Sequence, residues 1–97
     1  MATIALDYDG TFTVDPPMWL SFVKAAQDRG HQVYLITMRY DIPSEAEVVR
    51  SAMQGVIEDA KIIFTGRKAK RKFVNAMEIN IGIWIDDHPV WISEDAL

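Results

Sequence analysis

Cysteine is absent from the 97-residue chain, which excludes disulfides and thiolate metal sites. No run of about 18 apolar residues occurs, so no membrane-spanning helix is expected. The first residues lack a basic stretch followed by an apolar one, so no secretory leader is expected either. A cytoplasmic protein without membrane contact is the simplest expectation. Repeats and low-complexity linkers are also missing, and the length suits one small domain over residues 1–97. Positive charge is scarce: ten Lys and Arg stand against fourteen Asp and Glu, for a net charge of −4. Half of those cations, Arg67, Lys68, Lys70, Arg71 and Lys72, fall in one short segment. The rest of the chain is strongly acidic, which argues against non-specific nucleic-acid binding, but a local basic patch can steer an anionic ligand.

What is present is a regular alternation of strand and helix patterns, in a chain that is 49% hydrophobic. Residues 3–7 read as a buried strand. Asp15 suits an N-cap and Pro16 the first helical position, and Trp19, Phe22, Val23 and Ala26 then recur at helical spacing. Gly30 closes that helix. Residues 32–37 form a second strand. Ser44 with Glu47 matches a capping box, ahead of a helix that turns Val49, Ala52, Met53 and Val56 inward. Residues 61–65 give a third strand and 68–78 a third helix burying Phe73, Val74 and Met77. Residues 81–85 give a fourth strand, and 89–97 a short helix or a loose tail. His31 reads as a surface turn residue and His88 as a loop residue. Nearly continuous apolar strands alternating with helices predict an α/β domain with a parallel sheet covered on both faces. Right-handed crossovers place all strand C-terminal ends on one edge, where open α/β sheets bind ligands. Asp7, Thr37 and Asp86 stand at three such ends.

The string Asp7-Tyr8-Asp9-Gly10-Thr11 is the most informative stretch. In an extended segment, residues two apart share a side, so Asp7 and Asp9 can face one site. Two like charges there require a cation between them or a shared proton. A strand ending in this string resembles the first motif of the haloacid dehalogenase superfamily of phosphohydrolases. Leu35-Ile36-Thr37 is similar to the second motif of that superfamily. A lysine between Arg67 and Lys72 is similar to its third, and Ile83-Trp84-Ile85-Asp86-Asp87 to its fourth. The resemblance spans nearly the whole chain in the family's order. It implies a three-layer, Rossmann-like domain of four parallel strands in the order 3-2-1-4.

The resemblance also implies roles. Asp7 would be the nucleophile, already ionised and needing no base, and would form an aspartyl-phosphate that water opens. Asp9 would be general acid for the leaving group and then base for that water, a role in which it must share or hold a proton. Asp7, Asp9 through its backbone carbonyl, and one of Asp86 and Asp87 would hold a hard, oxygen-preferring cation, Mg²⁺. Neighbours on a regular strand point to opposite sides, so one of the two acids should ligate and the other act indirectly. Thr37 would meet the phosphoryl oxygens. Gly10 and Thr11 would line the substrate site, and Arg39 could add a charge-assisted contact to phosphate. Lys68, Lys70 and Lys72 compete for the third-motif role. Lys70 is favoured because it falls in the first turn of the third helix, where the family places this residue.

Most members of the family carry a cap domain. Here residues 12–14 after the first motif and 66–67 after the third strand leave no room for one, so a capless member is expected. An open site suits a large phosphorylated substrate: a nucleotide, a nucleic-acid end or a phosphoprotein. It also suits completion by a second subunit, as in a homo-oligomer. The function expected is a Mg²⁺-dependent phosphomonoesterase. The alternative from another class is a non-catalytic module that binds Mg²⁺ or a phosphorylated ligand. A response-regulator receiver shares such acids, but its acid pair follows the first strand and its phosphoacceptor a later one, the reverse of the order here.

Overall fold

The computed structural model describes residues 1–97, and its architecture follows from how the strands distribute their side chains. Four strands, β1 (Thr3–Leu6), β2 (Gln32–Thr37), β3 (Ile62–Phe64) and β4 (Ile83–Ile85), pair in parallel in the order β3-β2-β1-β4. The expected parallel sheet and its order 3-2-1-4 are therefore present. Leu6 lies beside Leu35 on one flank and Ile85 on the other.

Alternation along the strands divides the core in two. Ile4, Leu6, Val33, Leu35 and Ile62 face α1 (Pro16–Asp28) and α2 (Pro43–Met53), packing with Val23, Ala26, Val49 and Met53. Ala5, Ile36 and Ile63 face the other way and meet Val74 of α3 (Lys70–Ala76). Leu6 and Leu35 are fully buried, each contributing about 1.5–3 kcal/mol of transfer free energy. A last turn, α4 (Val90–Ser93), buries Ile92 and packs on α3. No helix is long and apolar enough to cross a membrane.

The first helix begins as its sequence implies: the Asp15 carboxylate accepts from Met18 N–H at 3.3 Å, with Pro16 next. Gly30 closes it with φ of +86°. The second helix does not use the expected capping box. It starts at Pro43, with Ile42 at the N-cap and no side-chain cap. Pro43 presets the helical φ one residue early, so Ser44 is already inside the first turn. The carboxylate in this turn is that of Glu45, which accepts from Tyr40 N–H. The third helix is shorter than expected, and Met77, past its end, is exposed rather than buried. Lys61 belongs to a 3-10 turn before β3. His31 is half-buried, its Nδ1 accepting from Ala2 N–H at 2.8 Å.

Candidate active site

The alternation that splits the core also builds the site. Asp7 continues the face of Ala5, and Asp86 that of Trp84. The Asp7 N–H donates to Ile85 carbonyl at 3.0 Å, so the two strand ends stay in register. Both carboxylates thus point to the face covered by α3. Lys70, the first residue of that helix, reaches between them. Its Nζ lies 2.7 Å from Asp7 Oδ1 and 2.6 Å from Asp86 Oδ2, and the side chain is 1% exposed. Of the three candidate lysines, Lys68 and Lys72 are exposed and Lys70 alone enters the cluster.

Thr11 ties the second half of the site. Its hydroxyl stands 3.2 Å from both Asp7 Oδ2 and Asp87 Oδ1 and accepts from Asp87 N–H. Asp86 Oδ1 accepts from His88 N–H, so both Asp86 oxygens have partners. Asp86 points inward, its side chain 2% exposed, and Asp87 is exposed, yet both carboxylates reach the cluster because β4 ends at Ile85 and the chain turns. Carboxylate oxygens of Asp7, Asp86 and Asp87 come within 4.8 Å of one another. Three carboxylates against one ammonium leave an excess of negative charge that suits a hard divalent cation. Burial pushes the Asp7 carboxyl up to about 7, and the Asp86 charge adds to this while Lys70 opposes it. Asp87 is held below the usual carboxylate range, chiefly by a hydrogen bond with Asp7.

Gly10 makes the close packing of this cluster possible. Its φ is +81°, and a Cβ there would stand 2.3 Å from Asp87 Oδ2. Gly10→Ala is therefore expected to displace the Asp87 carboxylate and to weaken the affinity of the three-carboxylate cluster for a divalent cation by about tenfold or more. Titration calorimetry with Mg²⁺ checks this; an unchanged affinity would remove Asp87 from the metal set.

Asp9 goes elsewhere. Its carboxylate is exposed and receives both Arg39 Nε and Nη2 at 2.8 Å. The i, i+2 alternation does not set its position, because β1 ends at Leu6 and residues 8–10 turn. Arg39 also donates to the Glu45 carbonyl, so it is fixed at both ends. Thr37 is buried at the end of β2, and its hydroxyl accepts from Arg39 N–H at 3.3 Å. A cavity of about 320 Å³ opens beside Thr11, Asp86 and Asp87, with Val14, Met18 and Trp19 as its apolar wall.

Sequence reading missed Asp95. Its carboxylate accepts from Ala69 N–H at 2.7 Å, next to Lys70. Arg67 in the same loop has a left-handed φ of 68°. That conformation is costly for a side-chain-bearing residue and is held by two bonds: its N–H to the Met38 carbonyl and its carbonyl from Ala96 N–H, both 2.8 Å. No local motif announces a cap supplied from 26 residues away. Asp95→Ala is expected to cost about 1 kcal/mol in urea unfolding and to loosen Lys70, whereas Asp95→Asn keeps the acceptor and most of the stability.

No family model, no curated protein and no solved structure matches the chain.

Proposed function

We propose that this chain is a capless, haloacid-dehalogenase-like phosphomonoesterase that uses Mg²⁺ and passes through an aspartyl-phosphate. The observation that carries the reading is the buried Lys70 ammonium bonded to both Asp7 and Asp86. It joins the first, third and fourth sequence motifs at one point, with Thr37 at the neighbouring strand end. Such an arrangement presents a carboxylate oxygen and a fixed positive charge to one phosphoryl group.

In this reading Asp7, the Asp9 backbone carbonyl, Asp86 and Asp87 are the candidates to hold Mg²⁺, and Asp87 has the oxygen least committed to other partners. The ion supplies charge neutralisation for a phosphate entering an acidic site. Asp7 attacks phosphorus and the ester oxygen leaves with a proton from Asp9. Water, deprotonated by Asp9, then attacks the phosphorus of the aspartyl-phosphate and restores the Asp7 carboxylate. Lys70 holds Asp7 in place and offsets the charge that builds on the phosphoryl oxygens, and the Thr37 hydroxyl donates to one of them. Substrates are phosphomonoesters, and the proposed setting is the cytoplasm.

One observation favours the non-catalytic alternative: Asp9 is tied to Arg39 through two short bonds. Turnover requires that pair to open, with Arg39 free to meet the phosphate instead. Phosphate release from a panel of monoesters, with and without Mg²⁺, decides between the two. Mg²⁺-dependent multiple turnover supports the enzyme. Mg²⁺ binding with no release from any ester assigns the chain to the binding module.

A further inference from the structure

The ten Lys and Arg residues do not share their partners evenly. Lys24, Arg39, Arg50, Lys61 and Lys70 each have a carboxylate oxygen within 4 Å. Arg29, Arg67, Lys68, Arg71 and Lys72 have none. Four of these five lie in the loop after β3 and the first turn of α3, and all four are exposed. Arg67 meets only the Leu97 backbone oxygen at 3.4 Å, and Arg71 lies over the Trp84 ring. Asp95 reaches the same loop, but its carboxylate is bonded to the Ala69 N–H rather than to a cation. In a chain of net charge −4, four like charges are thus left beside one another without neutralisation.

Their place is set by Lys70. That residue is buried against Asp7, and Lys68 stands two residues before it, within about 7.6 Å along the chain. A phosphate on the Asp7 site would have its nearest neighbours in a polyanion within reach of Lys68 and Arg67. Flat rings flank the same edge. The Tyr40 ring lies on Gly66, where a Cβ would stand 3.1 Å from its Cδ1, and is 44% exposed. Backbone bonds from Gly66 N–H to the Arg39 carbonyl and from Arg67 N–H to the Met38 carbonyl lock the two loops together. On the other flank, after Asp87, His88 and Trp91 stack with centroids 3.8 Å apart. A basic track interleaved with exposed rings is the physical requirement for holding a single strand of nucleic acid: cations follow the backbone and rings receive bases.

We propose that the substrate is the phosphorylated end of a single-stranded polynucleotide, its terminal phosphate at Asp7 and the following phosphates along Arg67, Lys68 and Lys72, with a base on Tyr40. This inference rests on the phosphomonoesterase reading for the terminal phosphate, but its test does not need turnover. The probe is a fluorescent oligothymidylate ending in a phosphonate that cannot be hydrolysed, at either the 3′ or the 5′ end, titrated with the wild-type protein and Mg²⁺. The comparison ligand is a thymidine mononucleotide phosphonate, measured by its competition with the probe.

The oligomer should bind at least about tenfold more tightly than the mononucleotide. Its log affinity should fall with log salt with a slope of roughly −2, since each phosphate neutralised contributes about −0.7. Lys68→Ala with Lys72→Ala should make that slope shallower by about 1.4. Arg29→Ala, an equally unpaired cation at the opposite edge of the sheet, should leave it unchanged. Tyr40→Ala should weaken the oligomer by about fivefold or more and leave competition by heparin unaltered. Equal affinity for oligomer and mononucleotide overturns the proposal, as does an Arg29 effect as large as the Lys68 and Lys72 effect. Heparin responding to Tyr40→Ala as the oligomer does overturns it too. Oligomer binding without phosphate release from a natural strand end would sink the phosphomonoesterase reading and leave the strand-binding inference intact. Turnover of small esters without oligomer preference would do the opposite.

Discussion

Lys70→Met is expected to destabilise the protein by about 3–5 kcal/mol at pH 8 in the absence of divalent cations. The methionine is close in length, so the cost is not a cavity. It is the removal of the one cation from two carboxylates whose side chains are 9% and 2% exposed. A domain of this size has only about 5–15 kcal/mol to lose, so the effect should be plain in urea unfolding. The charge origin predicts two rescues. Lowering the pH to about 5 should recover part of the loss, because the freed carboxylates can take up a proton. Added Mg²⁺ should recover part as well, by placing positive charge in the same cluster. Lys70→Arg should not restore function, because a planar guanidinium does not replace a compact ammonium buried between two carboxylates. Phosphate release in the methionine variant should fall by about a hundredfold or more. Unchanged stability in Lys70→Met would mean that the ammonium does not sit between the two acids.

The sequence made Lys70 legible only through a family resemblance and helix position. Its two neighbours at 68 and 72 are as basic, and composition cannot rank them. What ranks them is the packing on the sheet: the faces of Asp7 and Asp86 are set by strand parity, and Lys70, the first residue of α3, turns to that face while Lys72, in the same turn, stays exposed. Strand parity was readable because the apolar runs are nearly continuous and the turns are marked by Asp15, Gly30 and Gly66, whereas the 3-2-1-4 order was legible only through the family resemblance. Parity misled where strands stop. Asp9 and Asp87 lie beyond the last ladder bonds, so the alternation that still places Asp7 and Asp86 no longer governs them. Beyond the Lys70 contact with Asp7, which the resemblance implied, contacts between distant segments were not legible. The Arg39 clamp on Asp9 spans 30 residues and the Asp95 bond to Ala69 spans 26, and neither leaves a local pattern.

Asp7→Asn should separate stability from function in sign. The folded protein holds the Asp7 proton up to about pH 7, against a usual value of 3.8. Between those two pH values the folded state binds more protons than the unfolded chain, so this group makes stability fall as pH rises. Below about pH 4 both states are protonated and the penalty is absent; above about pH 7 it is complete. At about 1.4 kcal/mol for each pH unit crossed in that window, the decline amounts to a few kcal/mol, measurable as urea midpoints across pH 4–8 in chelator. Asp7→Asn keeps the size and polarity of the neutral acid and carries no proton to lose. Its stability profile should be flat across that range, and at pH 8 it should be more stable than the wild type. Mg²⁺ should stabilise the wild type and do much less for the variant. On the proposed phosphomonoesterase reading, in which Asp7 is the nucleophile, phosphate release should nevertheless drop by at least about a thousandfold. Gain of stability with loss of turnover marks a residue whose buried charge disfavours folding but is required for turnover. A variant less stable than the wild type at pH 8, with the wild-type pH slope intact, would place the titrating group elsewhere and remove Asp7 from the centre of the site.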